Sequence, residues 1–290
     1  MAIVRAPVAW LPGSVEQRVG DLLGDAGEAL QDAIADTDAV VHLAVVNEQR
    51  AKLNPEDALV DTLRIAHRVA TAATAVGAAR LVVVSTVHAY GGSMGPGVVL
   101  TEELAPSPRT IYAVANVGTE HVASAATAGT GTDLVVFRST NLVGAPADPS
   151  VDRWSLVAND LCRQAVTKGR LELKTHGAQW RDFVAMADAC RVLAAAAGPG
   201  GPTAVPAGTY NLGQGECLRI RDLAGLIQAS GEAAAGRRPE LVAPDPPADA
   251  PGPYTVSVRR LAELGFTPHV PIRAAIDETI EFCRTHRGAL

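Results

Sequence analysis

The stretch Val40–Ser85 reads VVHLAVVNEQRAKLNPEDALVDTLRIAHRVATAATAVGAARLVVVS. It opens with VVHLA (Val40–Ala44), a short run with β-branched residues suited to a strand buried on both faces. It closes with LVVVS (Leu81–Ser85), which reads as a second strand. Between them, Asp57–Val76 carries apolar residues at helical spacing (Leu59, Leu63, Ala66, Ala70), and Gly77 ends the helix. Strand, helix, strand is the βαβ unit of a parallel sheet.

Downstream, a Gly- and Pro-rich loop (Gly91–Pro108) leads to a helix over Ile111–Ala128 and a strand, DLVVFR, over Asp133–Arg138. Beyond about residue 145 strands, helices and Pro/Gly loops mix, predicting a smaller lobe; Gly231–Pro253, rich in proline, reads as a surface excursion. The fold expected is α/β: a Rossmann-like doubly wound parallel sheet over residues 1–145, with a mainly substrate-binding lobe over 146–290. Upstream, a dinucleotide-binding fold opens with a strand, a GxGxxG or GxxGxxG turn and a helix. No such turn is present. Gly20 and Gly24 have the wrong spacing and no evident strand before them, and Gly91, Gly92, Gly95 and Gly97 read as flexible loop. The N-terminal βα unit is therefore expected to be missing.

Hydrophobic residues make up 48% of the 290-residue chain and aromatics 4%, so the core is built from Val, Leu, Ile and Ala. A formal charge of −6 with no basic run excludes a nucleic-acid partner. No apolar run approaches the roughly 18 residues of a membrane span, and Arg5 with two nearby prolines interrupts any signal-peptide core. The four cysteines (Cys162, Cys190, Cys217, Cys283) are scattered, predicting buried thiols in a reducing cytoplasm and no metal site.

Several segments, in order, resemble the extended short-chain dehydrogenases/reductases of the NAD-dependent, nucleotide-sugar epimerase/dehydratase family. VGDLLGDAGEALQDAIADTDAVVHLA (Val19–Ala44) resembles the stretch whose aspartate lies near the adenine, which implies Asp21, with Ala44 also on the cofactor side. STVHAYG (Ser85–Gly91) resembles the strand end bearing the catalytic Ser/Thr, implying Thr86. PSPRTIYAVANVGTE (Pro106–Glu120) resembles the YxxxK helix, implying Tyr112 as the tyrosine and Glu120 in the usual acidic place. FRSTNLVGAP (Phe137–Pro146) implies Asn141, and GAQWRDFVAMADA (Gly177–Ala189) implies Arg181, as contacts to substrate diphosphate or sugar. GTYNLGQGECLRIRDL (Gly208–Leu223) and LAELGFTPHVPIRAAIDETIEF (Leu261–Phe282) are similar to the two C-terminal motifs. The resemblance implies NAD or NADP as cofactor, a UDP-, TDP- or GDP-linked sugar as substrate, and pairing through the helices at Asp57–Val76 and Ile111–Ala128, as a homodimer or with an active relative.

Departures cluster on the cofactor side. The glycine turn is lacking, Asn116 replaces the YxxxK lysine, and Asp61 and Arg64 stand where the family has Asn and Gly. In the family the tyrosine exchanges a proton with a sugar hydroxyl while nicotinamide exchanges hydride. A tyrosine of ordinary pKa about 10 is ionised in roughly one molecule in a thousand at neutral pH. A lysine one helical turn on stabilises the phenolate by on the order of 4 kcal/mol. Asn116 can hydrogen-bond a ribose hydroxyl but carries no charge. Each site residue also has a plainer reading: Thr86 as a turn cap, Tyr112 as a packing anchor, Asn141 as a turn residue, Arg181 with Asp182 as a surface ion pair. Three readings of function stay open: an active enzyme, either completed by a strand–GxxGxxG–helix upstream of Met1 or using an unusual cofactor mode, a non-catalytic nucleotide-sugar-binding subunit or regulator, and a cofactor-independent acid/base enzyme.

Overall fold

The computed structural model describes residues 1–24, 27–151, 154–198 and 205–290; Asp25 and Ala26 of the Val19–Ala44 motif lie outside them. In chain order the first half holds β1 (Ala2–Val4), β2 (Gln17–Val19), α1 (Gly27–Ile34), β3 (Ala39–His42), α2 (Glu48–Leu53), α3 (Pro55–Ala75), β4 (Arg80–Thr86), β5 (Val99–Leu100), α4 (Ile111–Thr127) and β6 (Asp133–Ser139). The second half holds β7 (Asn141–Val143), α5 (Val157–Lys168), β8 (Arg170–Glu172), β9 (Trp180–Ala185), α6 (Met186–Ala197), β10 (Gly208–Leu212), β11 (Cys217–Arg219), α7 (Ile220–Ala235), β12 (Glu240–Val242), β13 (Thr255–Val256), α8 (Arg259–Glu263) and α9 (Ile272–Thr285).

Two compact units interleave along the sequence rather than parting at residue 145: Met1–Ser93, Glu102–Ser139 and Leu193–Tyr210 form one, and Met94–Thr101, Thr140–Val192 and Asn211–Leu290 the other. The first is built on a sheet ordered β10-β6-β4-β3. β3 pairs in parallel with β4 (Ala39 opposite Arg80), and β4 with β6 (Arg80 opposite Asp133, Thr86 opposite Ser139). β4 is central, and Leu81, Val82 and Val83 are fully buried. β3 is the edge strand, which corrects its expected burial on both faces: Val41 is exposed because no strand covers that side among the described residues.

α3 starts with Pro55 in its first turn and Glu56 and Asp57 beside the positive helix end, and Gly77 at φ +71° follows its last residues. Its buried stripe runs Ala58, Thr62, Ile65, Ala66, Val69, Ala70 and Ala73, and Ile65, Val69, Ala70 and Ala73 pack with Leu30, Ile34 and Leu81 into one core. Leu59 and Leu63, expected in the stripe, flank it half-buried.

A strand does precede Gly20, contrary to expectation. β2 pairs in parallel with β1 as a separate two-stranded sheet, and Gly20 N–H donates to the Val4 carbonyl at 2.9 Å. With only one apolar residue, β2 shows no periodicity; pairing with β1 specifies it. Gly91 and Gly92 are likewise built in. They belong to a 3₁₀ segment, Val87–Ser93, and a Cβ on Gly92 would lie 3.4 Å from the Ser107 carbonyl oxygen and 3.3 Å from its Cβ.

In the second unit β9 lies between β11 (antiparallel) and β7 (parallel). α5, α7 and α9 close its core around Leu161, Phe183, Leu223, Ile227, Ile276 and Ile280. The expected excursion from Gly231 is shorter than the proline content implied: Gly231 is buried inside α7 against Pro239, and Glu240–Val242 pairs with β8. The thiols also differ from expectation. Cys162 and Cys283 are buried, but Cys217 is half-buried and Cys190 exposed, on the face of α6 away from buried Ala189 and Val192.

Candidate functional site

In the first unit the candidate residues sit at the C-terminal end of β4 and the first turns of α4. Thr86, the last residue of β4, is buried, and its Oγ1 accepts the His88 N–H at 3.2 Å. α4 begins at Thr110, whose hydroxyl caps the helix by accepting from Ala113 N–H at 3.2 Å. Tyr112 lies in that first turn and packs against Val46, Ala51 and Ala58. One turn on, Asn116 is 2% exposed and its Nδ2 donates to the Tyr112 carbonyl at 2.8 Å. The residue at the lysine position thus spends a hydrogen on its own helix and brings no charge toward the tyrosine.

Beneath these residues lies a network that sequence reading missed in all but Glu120. Glu120, two turns along α4 from Tyr112, accepts from Ser85 Oγ at 2.5 Å and from Arg138 Nη2 at 2.8 Å. The Arg138 guanidinium lies 4.9 Å over the ring of fully buried Tyr90. Burial opposes the charge on Arg138, but hydrogen bonds and charge from Glu120 outweigh it and hold the pKa above its ordinary value. A signal was present: a lone arginine ending an apolar strand has to find a buried carboxylate.

Asp21 and Ala44 belong to the same unit. Asp21 Oδ1 accepts from Leu23 N–H at 3.0 Å and borders a pocket of about 220 Å³ with Ile3, Arg18, Leu22 and Ala29. Arg68 of α3 fixes the turn by donating to the Leu22 carbonyl at 2.7 Å. Ala44 packs onto the core just beyond β3. The pocket is a mainly apolar cleft that also carries the Asp21 carboxylate and the Arg18 side chain. Residues 1–290 hold no GxxGxxG stretch, and position 116 carries an amide rather than a cation.

The second unit holds the other two candidates on one sheet. Asn141 is in strand β7 rather than a turn, opposite Phe183, and its Nδ2 donates to the Asp182 carbonyl at 2.9 Å. Arg181 precedes Phe183 by two residues on β9, so it shares that face, about 7 Å along the strand from the Asn141 position. Arg181 Nη1 donates to the Trp180 carbonyl at 2.8 Å. Asp182 does not pair with Arg181: it is 1% exposed and accepts from Gln214 N–H at 2.9 Å and Gly215 N–H at 2.7 Å. Burial pushes the Asp182 carboxyl up to about 6, with those hydrogen bonds and one from Thr140 opposing. The Arg181 fork is left with donors for an anion.

Among the described residues no cluster of His, Cys, Asp and Glu could hold a metal ion, and no helix is long and apolar enough to cross a membrane.

The fold has solved counterparts. It superposes on MoeE5 in complex with UDP-glucose and NAD at a TM-score of 0.80 and 24% identity, covering 98% of this chain and 90% of that one. TunA, an NAD-dependent NDP-hexosamine 5,6-dehydratase, matches at 0.78 and 24%, covering 94% and 84%. The UDP-glucose 4-epimerase of Thermotoga maritima matches at 0.80 and 18%, covering 96% and 87%. No curated protein matches the chain. The sequence pattern of the NAD dependent epimerase/dehydratase family matches residues 11–213, and the chain belongs to that family.

Proposed function

We propose that this chain binds a nucleotide sugar through Arg181 and Asn141 and that its family redox step is impaired. The observation that carries the binding half is the Arg181 fork, which Asp182 does not occupy because its carboxylate is turned onto the Gln214 and Gly215 amides. Arginine grips a phosphate with paired, charge-assisted hydrogen bonds. The solved structures of MoeE5 with UDP-glucose and with UDP-glucuronic acid support a sugar linked to a nucleoside diphosphate as the ligand class. The impairment rests on Asn116, whose amide engages the Tyr112 carbonyl in place of a lysine charge. NAD or NADP is the family cofactor, and weak binding is expected here because the chain has no glycine turn.

The test is calorimetric titration of the purified chain with UDP-, TDP- and GDP-sugars and, separately, with NAD and NADP. Binding of one sugar nucleotide with little binding of either dinucleotide supports the reading. Low-micromolar NAD binding or co-purified cofactor overturns the impairment, and no response to any sugar nucleotide overturns the binding.

A non-catalytic partner subunit is the second reading. Val60 on α3 and Ile111 and Val114 on α4 are exposed apolar residues on the two helices through which pairing is expected. The exposed Cys190 thiol suits a reducing cytoplasm.

A further inference from the structure

Asp182 joins the two ligand contacts proposed for the second unit. Arg181 precedes it on β9, and Asn141 Nδ2 donates to its main-chain carbonyl at 2.9 Å. Its side chain is buried, and its carboxylate accepts from Gln214 N–H at 2.9 Å and Gly215 N–H at 2.7 Å. A Cβ on Gly213 would lie 2.7 Å from Asp182 Oδ1 and 2.8 Å from Thr140 Cγ2, so the Thr140 side chain stands beside the carboxyl. The Thr140 hydroxyl also hydrogen-bonds to it, and a hydroxyl can donate to a carboxylate or accept from an acid. All these partners are neutral. Neutral dipoles do not fully replace the water lost on burial, which favours the protonated acid, and Thr140 can satisfy either form.

We propose that binding of the anionic ligand at Arg181 is coupled to proton uptake by Asp182, so that the site holds its ligand more tightly as pH falls. This rests on the nucleotide-sugar reading above and adds a regulation to that same site. Successive side chains of a strand point to opposite faces, so the Arg181 and Asp182 head groups are on the order of 10 Å apart. A phosphate charge at about that distance, with an effective dielectric of about 20, shifts a carboxyl's ionisation roughly tenfold toward the acid. Burial already pushes the Asp182 carboxyl up to about 6, aided by the like charge of Glu216 and opposed by the hydrogen bonds from Gln214, Thr140 and Gly215. The ligand's charge then brings the equilibrium to neutral pH. The other titratable groups facing Asp182 do not change charge there: burial pushes both Cys217, its register partner on β11, and Tyr254 up to about 12.

The experiment is calorimetric titration of UDP-, TDP- and GDP-glucose into the parent chain and Asp182→Asn, in HEPES and in Tris, whose ionisation heats differ. The diphosphate of a sugar nucleotide is esterified at both ends, so its own charge stays constant from about pH 8 to about pH 5.5. The parent should take up roughly a few tenths of a proton on binding near neutral pH, and bind about fivefold or more tightly at the acid end of that range. Asp182→Asn should take up none and show a flat profile, whatever its absolute affinity. Equal proton uptake in the two proteins, or a parent profile that is flat or strengthens with rising pH, overturns the proposal and leaves the nucleotide-sugar reading intact. If Asp182→Asn does not fold, the parent's own proton uptake and profile decide in the same way. No binding of any sugar nucleotide by the parent removes the underlying reading and this proposal together.

Discussion

Arg138 Nη2 donates to Glu120 Oε2 at 2.8 Å, with the two side chains only 7% and 9% exposed. Ser85 Oγ adds a second link, so one carboxylate ties the end of β4, the end of β6 and the middle of α4 together. Thr86 follows Ser85 directly, and Tyr112 lies two turns before Glu120 on α4. The network therefore fixes the elements that carry the candidate catalytic pair. Glu120→Ala leaves Arg138 charged and buried and is expected to cost about 3–5 kcal/mol. The double change Glu120→Leu with Arg138→Met should cost less than Glu120→Ala alone. Urea unfolding midpoints of the variants check this; a Glu120→Ala chain as stable as the parent would sink it.

Acid should weaken the first unit through His42. Burial lowers its pKa from 6.5 to about 4. The unfolded chain takes up a proton below pH 6.5 while native His42 does not, so stability falls as pH drops from 6.5 toward 4, by about 3 kcal/mol from this residue. Asp182 works the other way. Its folded pKa, raised to about 6, makes the native state bind a proton first, so its contribution grows as pH falls from 6 toward 3.8. Stability measured against pH in His42→Gln should lose the acid-side fall that the parent shows relative to it; identical slopes in the two proteins would refute the assignment.

Arg181→Ala is expected to weaken binding of a nucleoside diphosphate by about tenfold or more, since hydrogen bonds to charged groups contribute roughly 1.5–3 kcal/mol each. Asn141→Ala should cost less in affinity, because its amide already serves the Asp182 carbonyl. Some stability should go with it, nearer 1 kcal/mol. Titration and melting curves of both variants separate the two effects, and an Arg181→Ala chain that binds as well as the parent fails the prediction.

Restoring the family lysine should not restore turnover. Asn116→Lys puts an ammonium into a site that is 2% exposed and removes the bond to the Tyr112 carbonyl, so a lower melting temperature is expected. No glycine turn is supplied with it. Following NADH absorbance with a sugar nucleotide and added NAD should show no appreciable rate; a large gain would mean that the cofactor site is usable after all.

Tight packing is also testable at Gly213. A Cβ there would stand 2.7 Å from Asp182 Oδ1 and 2.8 Å from Thr140 Cγ2. Gly213→Ala must push the carboxylate off the Gln214 and Gly215 amides, and a loss of about 1–3 kcal/mol is expected. Calorimetric melting against the parent measures it, and an unchanged midpoint would show that the turn yields freely.

The alternation of apolar runs with helical spacing in Val40–Ser85 and again in Ile111–Arg138 was enough to read the parallel sheet, and the ordered motifs, not the periodicity, carried the family resemblance. Those features are local: a strand buried at the centre of a sheet must be apolar throughout, and a helix on its face must repeat near 3.6 residues. The strand Gln17–Val19 was not legible, because a three-residue strand with one apolar side chain has no period and exists through its partner, Ala2–Val4. The exposure of Val41 was not legible either, since which strand ends a sheet is a matter of neighbours, not of its own residues.

By itself the sequence determined that Asn116 stands where the family pattern has a lysine and that residues 1–290 hold no GxxGxxG stretch, for both are questions of residue identity. Only the tertiary structure decided what the remaining polar groups do. Glu120 meets Ser85 across 35 positions and Arg138 across 18, and Trp180 reaches Pro251 across 71. Asp182 turns to Gln214 and Gly215 instead of to its neighbour Arg181. Residue spacing along a chain predicts contacts one helical turn or one strand pleat away, whereas the partners of Glu120, Arg138 and Asp182 are chosen by burial: each charge taken from water has to find the complementary group that the fold brings to it.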